Sequence, residues 1–511
     1  MRTVKQLKNF SSSIFRYLIT FFFSFYTRKL FIDALGVEYL GVSGLISNVL
    51  GMLAIAELGI GTSIVFSLYK PLAEKDRQKT HLLIALYRKL YHYIALVVLL
   101  IGLLLMPFLT DFSPDLANIP HYNIIYLMCL ANSVIPYYFA YNSTLYTASQ
   151  QGYKLEMIHT TFYVITMVIT ITILSYWPNY ILLTACSMLL GIASQIVIYF
   201  MARCRWPWLH KKALGTLPDA DMRIIKKNVK AMVWHKVGTY CVYGTSSIII
   251  ANTINLVTVG LYANYQTVIS SLTRFLHQFF TSSNSGLGNL IALESKEKVY
   301  NVFRELNFIA FWWYGLLTIG VFFSIDLLIE IWLGSEYQIS RWAIVYISLN
   351  IYVVGMRMSC ASFKSASGLF SADQYVPILQ SILNLTLGFI LGTMYGLPGI
   401  TFSTLASGLL TISWYGAYVI YRDFLKISVI KYYLDYLIYV IFILFVGGVV
   451  FMIKKNYEPS NTMVNFLYTV LLVLGVYHIA LFVFHSSIPG GKLVIARILT
   501  FWPFYIKKKT K

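Results

Sequence analysis

YILLTACSMLLGIASQIVIYFM, from Tyr180 to Met201, runs for 22 residues without an Asp, Glu, Lys or Arg. A helix rises 1.5 Å per residue, so about 20 apolar residues cross the hydrocarbon of a bilayer, and this stretch alone predicts a transmembrane helix. It has company: Ile94–Leu109, Leu437–Ile453 and Phe466–Phe484 read the same way. Ser12–Leu35 is too long for a signal-peptide h-region and lacks a small-residue cleavage site, so it reads as a first span. Over 511 residues, 58% are hydrophobic and only 12% charged, with a mean hydropathy of +0.68. Soluble domains carry about a quarter charged residues. The expected class is an all-α polytopic membrane protein with about 14 transmembrane helices, among them single spans over 40–68, 230–251 and 398–421.

The net charge of +20 invites a nucleic-acid reading, but basic cytoplasmic loops alone make membrane proteins cationic. No nucleic-acid partner is expected. With the N-terminus placed inside, the basic segments Lys70–Lys89, Arg203–Lys230, Lys296–Arg304, Arg422–Lys431 and the tail ending Lys507-Lys508-Lys509-Thr510-Lys511 all fall on the cytoplasmic side. The segments between them are short and cation-poor: Asp111–Pro120 and Asp326–Glu336 carry acids, and only Arg28, Lys29, Arg341, Lys454 and Lys455 fall outside. That alternation needs an even span count and puts both termini in the cytoplasm. Sliding the chain on itself by about 219 residues aligns Gly41 with Gly260 and Arg16 with His235, a weak parallel pseudo-repeat of two lobes of about six helices each. The expected organisation is an N-terminal lobe over 1–202, a basic cytoplasmic linker over 203–229 and a C-terminal lobe over 230–421. Two extra helices and a basic tail fill 422–511. Cys129, Cys186, Cys204, Cys241 and Cys360 are scattered singly, without metal or disulfide spacing.

Ionisable side chains inside a bilayer cost at least a few kcal/mol and need a partner, water or a function. Sorted by depth, the cations are Arg16, His235, Lys236, Arg274 and Arg357, and the deep acid is Glu57. They sit on polar stripes at helical spacing: Arg16, Thr20, Ser24 and Thr27; His235, Thr239 and Ser246; Thr267, Ser271, Arg274 and Gln278; Asn350, Arg357 and Lys364. Lipid cannot satisfy such stripes, so they face protein or water and outline a cavity with a cationic wall. Against that, Arg16, His235 and Lys236 lie near the cytoplasmic end and can snorkel to headgroups. Ser and Thr stripes also glue helices together. Glu57 reads either as a structural ion pair with one of these cations or as an ion-coupling group. Metalloprotease, phosphate-loop and nucleophile-elbow motifs are absent from the sequence, so neither enzyme chemistry nor a cofactor or metal is expected.

The stretch Ala34-Leu35-Gly36-Val37-Glu38-Tyr39-Leu40-Gly41-Val42-Ser43-Gly44-Leu45, with Ala56-Glu57-Leu58-Gly59-Ile60-Gly61 and Ser67-Leu68-Tyr69-Lys70-Pro71-Leu72, resembles bacterial polysaccharide-biosynthesis flippases of the Wzx type. These belong to the multidrug/oligosaccharidyl-lipid/polysaccharide exporter superfamily. The resemblance implies two six-helix lobes with two additional helices. It also implies translocation of an undecaprenyl-pyrophosphate-linked oligosaccharide across the bacterial inner membrane, for O-antigen, capsule or exopolysaccharide. The related peptidoglycan-precursor flippase carries cavity arginines on its first and eighth helices, and Arg16 and Arg274 look like that pair by position. The implied partners are the lipid-linked glycan, membrane lipids, a monovalent cation or proton for coupling, and polysaccharide-assembly proteins. Arginine's planar fork suits a pyrophosphate, whereas a multidrug antiporter of the same superfamily wants several deep carboxylates. That antiporter is the first alternative; a polysaccharide polymerase or ligase is the second.

Overall fold

A computed structural model describes Arg16, 19–20, 23–53, Glu57, 60–112, Leu116, 119–149, 151–210, 215–219, 221–223, 225–226, Val229, Val242, 244–367 and 375–501. The regular secondary structure of the described residues is helical, and the chain divides by internal contact into two units, before and after the Ala263–Asn264 junction.

The first unit opens with α1 (Phe23–Leu35) and α2 (Val37–Leu53), which meet at 118°. Gly36 makes the corner at φ +89°, a left-handed backbone that a side chain would resist. Next come α3 (Ile60–Glu74), α4 (Arg77–Leu105), α5 (Tyr122–Ala148), α6 (Gly152–Tyr176), α7 (Tyr180–Arg205) and α8 (Ser246–Thr253). Polar caps start the long helices where the apolar runs begin. Asp76 accepts from the Lys79 N–H at 2.9 Å ahead of α4, and Asn179 accepts from the Leu182 N–H at 3.0 Å ahead of α7. α5 packs on both α4 and α7, and the Tyr126 hydroxyl donates to the Gly102 carbonyl at 2.8 Å where α4 and α5 cross.

The first turns of α9 (Leu256–Leu293) also belong to this unit and press on α2. A Cβ on Gly41 would collide with the Leu256 carbonyl, and one on Gly260 would lie 2.6 Å from the Val37 carbonyl. The contact is reciprocal. Val37 and Gly41 stand to Leu256 and Gly260 at the same offset of about 219 residues that the sequence repeat shows.

The second unit takes the rest of α9, then α10 (Lys296–Trp332), α11 (Arg341–Ser367), α12 (Val376–Tyr395), α13 (Leu397–Leu410) and α14 (Ile412–Val419). A π-helical turn, Ile420–Leu425, ends α14; α15 (Ile430–Asn456), α16 (Thr462–Phe484) and α17 (Gly491–Phe501) follow. α10 is the hub, packed on α11, α15, α16 and α17. Its buried rings hold the unit together: Phe311 stacks on Tyr439 at 4.4 Å, and the Tyr477 hydroxyl donates to the Phe311 carbonyl at 3.2 Å. The outward side chains Leu104, Leu444, Met452, Leu471 and Phe482 are exposed large hydrophobics, as lipid-facing surfaces require.

Among the described residues, nine helices are long and apolar enough to cross a membrane, or up to ten if α1 and α2 form one broken span. The expected spans beyond these fall on shorter or more polar helices. The stretch 40–68 is not one helix: α2 ends at Leu53 and α3 begins at Ile60. Likewise 398–421 is divided among α13, α14 and the π-turn. The expected span over 230–251 lies largely outside the described residues, with His235 and Lys236 in that part.

Candidate functional site

Glu57 stands between α2 and α3 and accepts a hydrogen bond from the Tyr91 hydroxyl of α4 at 2.5 Å. Tyr87, one turn earlier on α4, stacks on Tyr91 with ring centroids 4.1 Å apart, and Tyr137 of α5 meets Tyr91 edge-on at 5.8 Å. Gly61 makes room for the group. A Cβ there would come within 2.5 Å of the Tyr91 hydroxyl and 2.8 Å of Glu57 Oε1. Among the described residues Glu57 has no lysine or arginine partner. Its neighbours are phenols, so the expected pairing with a cation is replaced here by an oxygen-rich enclosure. Such a group can hold a proton or a small hard cation. Of its members the sequence reading singled out Glu57 alone, because Tyr87 and Tyr91 are four apart in a Tyr-rich run that reads equally well as interfacial.

Arg16 has an acid at hand: its Nη1 lies 2.8 Å from Glu156 Oε2 of α6. The premise that Glu57 is the only acid facing the in-membrane cations is therefore corrected. Glu156 escaped notice because it opens its span beside Lys154 and reads as an interfacial charge. The hydroxyls of the Arg16 stripe turn inward on their own helix. Thr20 donates to the Arg16 carbonyl at 2.8 Å and Thr27 to the Phe23 carbonyl at 2.7 Å. Ser271 on α9 does the same to Thr267 at 2.8 Å. Back-bonding of this kind can satisfy a hydroxyl within its own helix, so Thr20 and Thr27 do not by themselves mark a wall that needs water or a partner helix.

In the second unit, Arg274 is exposed on α9, with no acid paired to it among the described residues. Arg357 and Lys364, two turns apart on α11, line a cavity of about 80 Å³ closed by Ser413 and Gly416 of α14. Cys360 lies between them on the same face. Arg274 and Arg357 thus stay within one compact unit, while Arg16 and Glu57 belong to the other. Among the described residues no group of three or more His, Cys, Asp or Glu side chains is arranged to hold a metal ion.

No family model matches the sequence, and no curated protein matches it. Solved structures do match in fold. The chain resembles a lipid II flippase, MurJ, in an inward closed conformation, with a TM-score of 0.67 and 14% identity over 95% of this chain and 99% of that one. It also resembles an inward-facing multidrug resistance MATE family transporter of the MOP superfamily, with a TM-score of 0.58 and 10% identity over 76% and 91%. A third likeness is to the Vibrio cholerae MATE transporter VcmN, at 0.57 and 14% over 83% and 99%. These likenesses define the class by fold: a multi-pass helical membrane protein built as MurJ and the MATE transporters are. At these identities they speak for the architecture alone.

Proposed function

We propose that the chain is a flippase that carries an undecaprenyl-pyrophosphate-linked oligosaccharide across the bacterial inner membrane for surface polysaccharide assembly, by alternating access. The observation that carries the reading is Arg274, a guanidinium with no acid partner among the described residues. Arg357 and Lys364 in one small cavity of the same unit add to it. A cation held in an apolar helix is costly until an anion arrives, and a pyrophosphate offers the bidentate oxygens that a guanidinium fork matches. Arg16, already paired with Glu156, is assigned a lesser part. His235 and Lys236 stay in the proposal as substrate contacts from sequence position. Both termini are placed in the cytoplasm, and polysaccharide-assembly proteins are the expected partners.

The test is translocation of a lipid-linked oligosaccharide in reconstituted vesicles. Arg274→Lys keeps the charge and loses the fork, so transport falls several-fold; Arg274→Ala falls at least about tenfold, the equivalent of ~1.4 kcal/mol. Both variants must reach the membrane at normal levels. Full transport by well-expressed Arg274→Ala overturns the assignment. The second reading, a cation-coupled multidrug antiporter, draws on the phenol-enclosed Glu57. Efflux of cationic drugs that is lost in Glu57→Gln, with no oligosaccharide transport by the parent protein, would favour it.

A further inference from the structure

Away from those residues, the α3–α4 turn and the end of α7 line an open cavity of about 670 Å³ in the first unit. Its charged lining is Lys75, Arg77 and Arg205 against the single carboxylate of Asp76. That carboxylate is already engaged, accepting the Lys79 N–H as the cap of α4. Among the described residues none of the three cations is paired with an acid; the neighbouring Lys79 is the one that pairs, with Asp221 at 2.8 Å.

The walls are indoles held from behind. Trp206 meets Tyr146 edge-on at 4.7 Å, Trp208 meets His81 at 5.5 Å, and the Arg205 guanidinium lies 5.3 Å over the Trp206 ring. The turn is unusual too. Lys75 sits at φ +58°, where glycine would be at ease, and the Asp76 N–H closes back on the Pro71 carbonyl at 2.9 Å. A long cation is thereby held at the rim by a backbone that does not favour it.

We propose that this cavity is a binding site for the headgroup of an anionic phospholipid, with a preference for one carrying two phosphate charges. Three cations against one engaged carboxylate leave a local excess of two, which a doubly anionic headgroup cancels. The cavity lies where apolar helices give way to basic segments, the level at which indole rings partition and headgroups reside. Basic pockets between spans at the cytoplasmic face have this chemistry. Arg77 and Arg205 hold phosphate oxygens, Lys75 closes the rim, and Trp206 and Trp208 cover the glycerol and upper chain. The site is independent of the flippase reading, since it involves none of that reading's residues.

The experiment uses the full chain, delipidated in mild detergent and titrated with tetraoleoyl cardiolipin, phosphatidylglycerol, phosphatidylcholine or inorganic pyrophosphate, with native mass spectrometry counting retained molecules. The wild type should retain cardiolipin at least about tenfold more tightly than phosphatidylglycerol, and phosphatidylcholine weakly. Arg77→Gln combined with Arg205→Gln should lose about tenfold or more for cardiolipin while leaving phosphatidylcholine unchanged. Lys75→Gly relaxes the turn, so it should keep or raise thermal stability and still weaken cardiolipin binding. The proposal is overturned if the double variant, eluting as a monodisperse species, retains cardiolipin like the wild type. It is equally overturned if pyrophosphate displaces the lipid completely, which would make the site one for soluble phosphates. Lys75→Gly with undiminished cardiolipin binding would remove Lys75 from the site and sink the rim assignment.

Discussion

The hydrogen bond from Tyr91 to Glu57 fixes where the carboxylate points, because it ties one carboxylate oxygen to a ring stacked on its own helix. Under the proposed function, with Glu57 as its ion-coupling group, Tyr91→Phe removes the donor and keeps the ring stack with Tyr87, so the ion dependence of transport should shift while protein levels stay normal. Gly61→Ala places a methyl against both the hydroxyl and the carboxylate. It should cost transport about tenfold, or ~1.4 kcal/mol. An unchanged cation dependence in both variants would remove Glu57 from coupling. At this scale the sequence supplied the charges and withheld their partners. Glu57 stood out because a lone acid inside an apolar run is expensive. Tyr91, 34 residues further on, and Glu156, 140 residues from Arg16, are brought up only by tertiary packing, and no local spacing encodes that.

At the scale of elements, α17 is a helix within the stretch expected to be a basic tail. Its eleven residues are too short to span, and its attachment is specific: Arg497 meets Glu305 of α10 at 2.9 Å, and the Tyr439 hydroxyl of α15 donates to the Pro489 carbonyl just ahead of it at 2.8 Å. Glu305 is the inner partner, its side chain 10% exposed against 53% for Arg497. Arg497→Ala strands the carboxylate and should cost about 1–2 kcal/mol, discounted because the arginine is half in solvent. Adding Glu305→Gln should recover most of the loss. Thermal unfolding in detergent measures both; a double variant no better than the single would mean that α17 is held by its apolar face alone. The long spans were legible because length and hydropathy decide them. α2 and α3 were fused into one because Glu57 and its flanking glycines interrupt the apolar run without breaking its mean hydropathy. α4 starts at Arg77, well before its apolar core, because the Asp76 cap fixes the first turn.

At the scale of the molecule, many large apolar side chains among the described residues are exposed: Leu104 is 69% exposed and Phe482 75%. In water such surface would drive association, so the fold is complete only with lipid around it. The same scale holds the reciprocal crossing of α2 with the start of α9, where Gly41 abuts Leu256 and Gly260 abuts Val37. Gly41→Ala and Gly260→Ala should each destabilise by about 1–3 kcal/mol, since the obstacle in both cases is backbone carbonyl rather than a movable side chain. Both methyls push the same two helices apart, so the double variant should lose clearly less than the sum. Strict additivity would mean that the two glycines act separately. The offset was readable from sequence as a faint repeat; that it marks a physical contact was not, because self-alignment reports similarity rather than proximity.

That crossing behaves like a dimer interface folded into one chain. A contact in which residue i touches j′ and residue j touches i′ is the isologous pattern of a two-fold homodimer, here written between Val37/Gly41 and Leu256/Gly260 of a single chain. Covalent connection holds the two sides at an effective concentration that dilution cannot lower, so the crossing stays closed at protein concentrations at which a two-chain contact of the same size would come apart.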